Sequence, residues 1–183
     1  MSLERFTLRT KKVRIARNTG LIVTGLFLLI FAGCSVNYSF TGASISPRLE
    51  TISVQYFQNN APTSIPNLSQ DLTETMQDVF EGRTRLTLVN DIGDVNFDGE
   101  ITDYRTAPVS VGADERASME RLTISVRVRF TNSVDSEQDF ERTFTRHADY
   151  DAATGLDAVE EQLVEKIIDE LIQDIFNYAF VNW

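Results

Sequence analysis

Glu120-Arg121-Leu122-Thr123-Ile124-Ser125-Val126-Arg127-Val128-Arg129-Phe130-Thr131-Asn132 alternates apolar and polar residues without a break. Side chains on a strand point to opposite faces in turn, so this stretch reads as one long, half-buried strand. Leu122, Ile124, Val126, Val128 and Phe130 form its core face, and Thr123, Ser125, Arg127, Arg129 and Thr131 the other. A sheet built on it needs an apolar layer on one side only.

The neighbouring segments supply the rest of that sheet and its cover. Val95 to Tyr104 alternates through Val95, Phe97, Gly99 and Ile101. A loop of small and polar residues, about Ala107 to Ser118, joins it to the long strand. Past the polar turn Ser133 to Glu137, Asp139 to His147 reads as the returning arm of a hairpin. On the N-terminal side, Val36 to Phe40, Thr51 to Phe57 and Arg85 to Val89 read as shorter strands, with Ile52, Val54 and Tyr56 sharing a face. Two helices complete the set. One starts at Asn67, where Asn67 and Gln70 have capping-box spacing, carries Leu68, Leu72, Met76, Val79 and Phe80, and stops at Gly82. The other runs from about Leu156 to Phe180 behind Thr154 and Asp157. Its wide stripe is Leu163, Val164, Ile167, Ile168, Leu171, Ile172, Ile175 and Phe176, and Glu161, Glu165, Asp169, Glu170 and Asp174 form a solvated face. Strands adjacent in sequence favour antiparallel pairing. The expected fold is therefore α+β, a two-layer sandwich with a mostly antiparallel sheet of about four strands and two helices on one face.

The N-terminus carries a different signal. Arg5, Arg9, Lys11, Lys12, Arg14 and Arg17 precede an apolar run from Leu21 to Ala32. That run is shorter than the roughly 20 apolar residues a membrane-spanning helix needs, and it ends in small residues, as an export signal does. Phe31-Ala32-Gly33-Cys34 resembles a bacterial lipobox, with Phe31 where leucine is usual. The resemblance implies cleavage after residue 33 and lipid attachment at Cys34. Cys34 is the only cysteine, so no intramolecular disulfide competes for it. The alternative is an uncleaved anchor with an unmodified thiol. Ser35 follows without an aspartate that would retain the protein at the inner membrane, which points to the periplasmic side of the outer membrane.

Removing 33 residues from 183 leaves one domain of 150, long enough for a real core. The whole chain has a net charge of −10. Without the first 33 residues, 11 basic and 26 acidic side chains remain, a net charge of −15. Such a domain is a poor nucleic-acid binder, because phosphate contact relies on basic patches.

Three clusters could carry chemistry. Asp94-Val95-Asn96-Phe97-Asp98-Gly99 matches the first half of a calcium loop, but Arg105 stands where the closing glutamate belongs, so a plain strand is the stronger reading. His147-Ala148-Asp149-Tyr150-Asp151 places the only histidine beside two acids. No nucleophile elbow accompanies it, and a strand end is the simpler account, so no enzyme is expected. Arg127 and Arg129, with Arg121 and with Arg142 and Arg146 on the next strand, form a basic stripe. It either pairs with local acids such as Glu141 or Asp139, or contacts an anionic surface or partner. No cofactor or metal is implied.

Four further pieces carry a family resemblance. They are Cys34 with Tyr38-Ser39-Phe40-Thr41-Gly42; Ile52-Ser53-Val54 leading to Phe57-Gln58-Asn59-Asn60; Gly99-Glu100-Ile101-Thr102-Asp103-Tyr104; and Asp174-Ile175-Phe176-Asn177 with Asn182-Trp183. Together they resemble a divergent branch of the LptE family, the LPS-assembly lipoproteins. The resemblance implies a small α/β sandwich anchored by lipid in the outer membrane. It also implies a role as plug and assembly partner of an LptD-like β-barrel in lipopolysaccharide transport. Some members bind lipopolysaccharide through basic residues; the acidity of this chain favours the scaffold role. A generic outer-membrane lipoprotein binding another envelope component is the alternative.

Overall fold

The computed structural model describes residues 45–63, 65–109 and 119–181, all within one compact unit, Thr41–Trp183. The expected strand at Val36 to Phe40, the export signal and Cys34 lie outside the described residues. The long alternating segment is strand β5, Met119–Asn132, and its five apolar residues are all buried. It pairs antiparallel with β4, Val95–Pro108, on one side and with β6, Phe140–Asp151, on the other. The expected hairpin joins β5 to β6; β4 runs on through Ala107 and Pro108, where the loop was expected to begin, and residues 110–118 of that loop lie outside the described residues.

The sheet has six strands and is mixed, where the sequence reading expects about four, mostly antiparallel. Strand β1, Thr51–Val54, lies between β3, Thr87–Leu88, and β4, parallel to both. The cause is the first helix, α1, Leu68–Arg83, which stands between β1 and β3 in the chain. A strand that leaves through a helix returns in the direction it started, and so pairs parallel. The sheet order is β3-β1-β4-β5-β6, with the short β2, Gln58–Asn59, also parallel to β4.

Thr51 to Phe57 is thus not one strand. Val54 faces Phe97 and Gln58 faces Glu100, so the β1–β2 side has one residue more than β4 between these pairs. The extra residue reverses the alternation, as a bulge does. Phe57 turns into the core, and Tyr56, expected on the core face, is 55% exposed. The Phe57 N–H donates to Thr73 Oγ1 on α1 (3.2 Å), and that hydroxyl donates to the Ser69 carbonyl (2.7 Å). Gly99 lies beneath the Phe57 ring, where an added Cβ would come within 2.7 Å of Phe57 Cε1 and collide with the Arg127 carbonyl oxygen. A second irregularity, between Ile101 and Asp103, lets both Ile101 and Tyr104 face the core.

Both helices cover one face. Helix α1 packs on β1, β2 and β3, and α2, Glu160–Phe180, packs on β5 and β6 and against α1. Their apolar stripes are those expected, except that Val79 and Leu163 are only partly buried and Ala179 and Phe180 join the core. The caps differ. Asn67 makes no side-chain cap, and the Gln70 amide donates to Glu74 (2.9 Å). Thr154 and Asp157 form no capping box either. A turn and a 3₁₀ stretch, Leu156–Ala158, precede α2, whose N-cap residue is Val159. Helix α1 runs through Gly82 and ends at Arg83, where Thr84 closes on the Phe80 carbonyl through its N–H (3.1 Å) and its hydroxyl (2.8 Å).

Aromatic rings tie the layers together at one end. Phe97 lies 4.7 Å from Phe80 on α1, 4.8 Å from Phe130 on β5 and 5.9 Å from Phe180 on α2, centroid to centroid. Edge-to-face and tilted contacts of this kind add to the apolar burial. No helix among the described residues is long and apolar enough to cross a membrane.

Candidate functional site

The sheet face away from the helices carries the odd-numbered residues of β5. Their cross-strand neighbours decide its chemistry. Arg129 stands between Asp98 and Glu141, Arg127 between Glu100 and Thr143, Ser125 between Asp103 and Thr145, and Arg121 between Ala107 and Asp149. Arg129 grips Asp98 through two nitrogens, Nε to Oδ2 at 3.1 Å and Nη2 to Oδ1 at 2.9 Å. Arg127 meets Glu100 at 2.8 Å. Arg121 forks onto Asp149 at 2.6 and 2.9 Å. Arg105 pairs with Asp103 on its own strand. The hydrogen bonds that Arg129 and Arg121 donate to Asp98 and Asp149 hold both arginines further above their already high range, and the Arg121 guanidinium pulls the Asp149 carboxyl down. The surface is a chequerboard of matched charges with hydroxyls between them.

It is therefore not a basic stripe. Arg127 and Arg129 share it with Arg121, but Arg142 and Arg146 are on the helix side. In the β5–β6 register Arg142 faces Val128 and Arg146 faces Ile124, both core positions. Arg146 forks onto Asp174 of α2 at 2.6 Å for each bond, and Arg142 lies 4.6 Å over the Tyr178 ring. Asp174, read as a solvated acid, is thus half of an ion pair. A sequence signal for this existed: Phe140, Phe144 and Tyr150 have the same parity as both arginines, so the core side of β6 is the even one. The expected acid Glu141 does flank Arg129. Asp139 instead accepts the Asn132 N–H (2.7 Å).

The end of this face over β1 is covered. Because β3 and β4 flank β1, the connection between them, residues 89–94, must cross it. Gly93 N–H donates to Ser53 Oγ (3.0 Å), and Ser53 donates to Asn96 Oδ1 (2.8 Å). The Asp94 carboxylate accepts the N–H groups of Glu50 (2.9 Å) and Thr51 (3.0 Å), while Asp94 N–H donates to Thr51 Oγ1 (2.8 Å). The backbone donors of Glu50 and Thr51 hold the Asp94 carboxyl below its usual range. This is the segment with the half-motif for calcium. Its first acid fastens β1, and Val95 to Gly99 is extended strand rather than a wrapping loop.

His147 stands on the open face opposite Thr123, and its neighbour Asp149 is held by Arg121. The cluster offers no aligned base and nucleophile. Among the described residues no group of three or more His, Cys, Asp or Glu side chains is placed to hold a metal ion. A feature the sequence reading missed lies at the far end of the sandwich, where Tyr104 donates to Glu160 on α2 (2.5 Å) and Tyr150 to Glu120. Burial, then the carboxylate partner, pushes Tyr104 well up and Tyr150 up to about 12. Tyr104 could not be matched with Glu160 before the bulge in β4 and the start of α2 were known, and Tyr150 could not be matched with Glu120 before the β5–β6 register was.

What remains uncovered over β4, β5 and β6 is a broad polar face with a shallow depression of about 270 Å³, lined by Gln58, Asn60, Asp98, Glu100, Arg127 and Arg129 among others. Its flatness and balanced charge suit contact with another polar surface more than enclosure of a small substrate.

The chain is similar to several solved structures at low identity. A minor lipoprotein from Acinetobacter baumannii is 19% identical with a TM-score of 0.46, and the match covers 72% of this chain and 94% of that one. A hypothetical protein from Chlamydia trachomatis is 12% identical with a TM-score of 0.49, covering 72% and 98%. The rare lipoprotein B from Shewanella oneidensis is 9% identical with a TM-score of 0.44, covering 69% and 93%. No curated protein matches the chain. Residues 49–179 match LptE, described as lipopolysaccharide-assembly, and with well over half of its length so matched this chain belongs to the LptE family.

Proposed function

We propose that this protein is an outer-membrane lipoprotein, held on the periplasmic side by lipid on Cys34, that acts as plug and assembly partner of an LptD-like β-barrel in lipopolysaccharide transport. Family membership supports the pathway. The observation that carries the docking role is the open face of β4, β5 and β6. It is rigid, polar and charge-matched, and the interior wall of such a barrel is polar too. Arg127 and Arg129 keep 49% and 60% of their side chains exposed while paired. Each can therefore turn a fork toward a carboxylate on the wall without leaving its own acid bare. The matched charges favour this scaffold role over direct capture of lipopolysaccharide, and no catalytic role is proposed.

Two measurements test the reading. Arg127→Glu with Arg129→Glu sets new carboxylates beside Asp98 and Glu100 and removes both forks. Recovery of the barrel from detergent-solubilised envelopes is expected to fall sharply, with the thermal melt changed little, since exposed ion pairs contribute little to stability. Arg127→Gln with Arg129→Gln guards against simple repulsion and is expected to weaken recovery as well. Full recovery of the barrel by both variants places the contact elsewhere. Cys34→Ala is expected to leave an uncleaved precursor or a protein released from the outer-membrane fraction. Normal processing and unchanged fractionation would refute the anchor.

A further inference from the structure

The connection that crosses β1 does more than link two strands. Its apex, Ile92, is 81% exposed, more than any other large apolar side chain among the described residues. Isolated apolar residues on a surface are ordinary. What sets Ile92 apart is that the backbone on both sides of it is fastened to β1. Here Val89 N–H donates to the Ile52 carbonyl (2.9 Å) before the tip. After it, Gly93 lies flat on the Ile52 backbone, where an added Cβ would meet the Ile52 carbonyl carbon at 3.0 Å. Gly93 and Asp94 then bond to Ser53, Thr51 and Glu50, and the Ser133 N–H donates to the Asp94 carbonyl (2.8 Å).

We propose that Ile92 is a lipid-contact point, the tip on which the tethered domain rests against the membrane that holds its N-terminus. The inference rests on the reading of Cys34 as lipid-bearing. The tip stands where the chain enters the fold, because Asp94 fastens the first residues of β1. Ten residues lie between Cys34 and Ile45, so the chain between them spans at most about 40 Å and the tip stays within reach of the surface. One isoleucine favours an apolar environment by roughly ten- to a hundredfold, too little to bring a free domain to a bilayer. A short tether raises the local concentration into the millimolar range, where so weak a preference decides orientation. An apolar tip also suits lipid better than the polar wall proposed for the open sheet face.

The lone cysteine makes a clean test. In the lipidated protein the Cys34 sulfur is a thioether, so Ile92→Cys introduces the only free thiol. The full lipoprotein carrying this change is labelled with an environment-sensitive maleimide dye in phospholipid vesicles, with Asp78→Cys on the exposed side of α1 as comparison. The expected result is one dye per chain, blue-shifted at position 92 and strongly quenched by nitroxides placed shallowly in the lipid, with water-like emission at position 78. One dye with water-like emission at position 92 overturns the contact and leaves the anchor standing. A blue shift without quenching places the tip against protein and also overturns it. Two dyes per chain mean that Cys34 is free, and then the anchor and the inference fall together.

Discussion

Gly99→Ala is expected to destabilise the domain by about 3 kcal/mol or more, a large share of the roughly 5–15 kcal/mol that holds such a domain folded. The added methyl has nowhere to go: on one side is the Phe57 ring, on the other the Arg127 carbonyl oxygen of the paired strand. A side chain can swing aside, but a backbone carbonyl in the middle of β5 moves only if the β4–β5 ladder opens. Overpacking in a core typically costs roughly 1–3 kcal/mol, and a clash with backbone belongs at or above the top of that range. Pushing Phe57 away would also strip the contact that bridges β2 and α1. Gly82→Ala provides the contrast, since nothing lies within 4 Å of the added carbon. In a helix that change should stabilise by about 0.5–1 kcal/mol. Urea melts of the two variants should therefore move in opposite directions, and a Gly99→Ala midpoint equal to the parent's would mean that β4 does not approach β5 and Phe57 as described.

Ile168→Asp is expected to have a comparable effect by a different route. Ile168 is buried at 3% exposure on α2 and borders the groove between the helices. A carboxylate there is taken out of water with no cation to receive it. The acids lining the same groove are Asp71, Glu74 and Asp78 from α1 and Glu160, Glu161, Glu165 and Asp169 from α2. Burying an unpaired charge costs several kcal/mol, against a net stability of roughly 5–15 kcal/mol for a domain. Ile168→Leu keeps the volume and should melt close to the parent. If the aspartate variant also melts like the parent, α2 does not present this residue to the core.

The two substitutions also mark how far the amino-acid order alone could be read. Ile168 lies in a stripe whose helical period is unmistakable, and β5 alternates over its whole length, so the layers and their facing sides were legible. Gly99 was not. It read as one more inward position on an alternating strand, and its need for glycine depends on Phe57, which arrives only because an extra residue between Val54 and Gln58 turns the chain. Bulges of this kind have no periodic signature. The parallel pairing of β1 was missed for another reason: a strand was read at Arg85 to Val89 behind the first helix, but the expectation that neighbouring strands pair antiparallel hid the crossover that α1 makes between β1 and β3. The candidate face was half legible. Arg127 and Arg129 were placed on the outer side of β5 by alternation alone, but which acids they meet, and the loss of Arg142 and Arg146 to the other side, required the β5–β6 register.

The position of β1 in the sheet has a consequence for the order in which the structure can form. The three long strands are joined in sequence by short connections, so most of their pairings close small loops and can form early. Strand β1 is different. It has no lateral partner until β3, and its second partner is β4, more than forty residues downstream. A chain emerging N-terminus first must therefore carry Thr51–Val54 unpaired until about forty further residues, through α1 and β3 to the start of β4, have followed it. Strand β1 then gains both neighbours before β5 and β6 exist, so the crossover is complete when the long strands are laid against it.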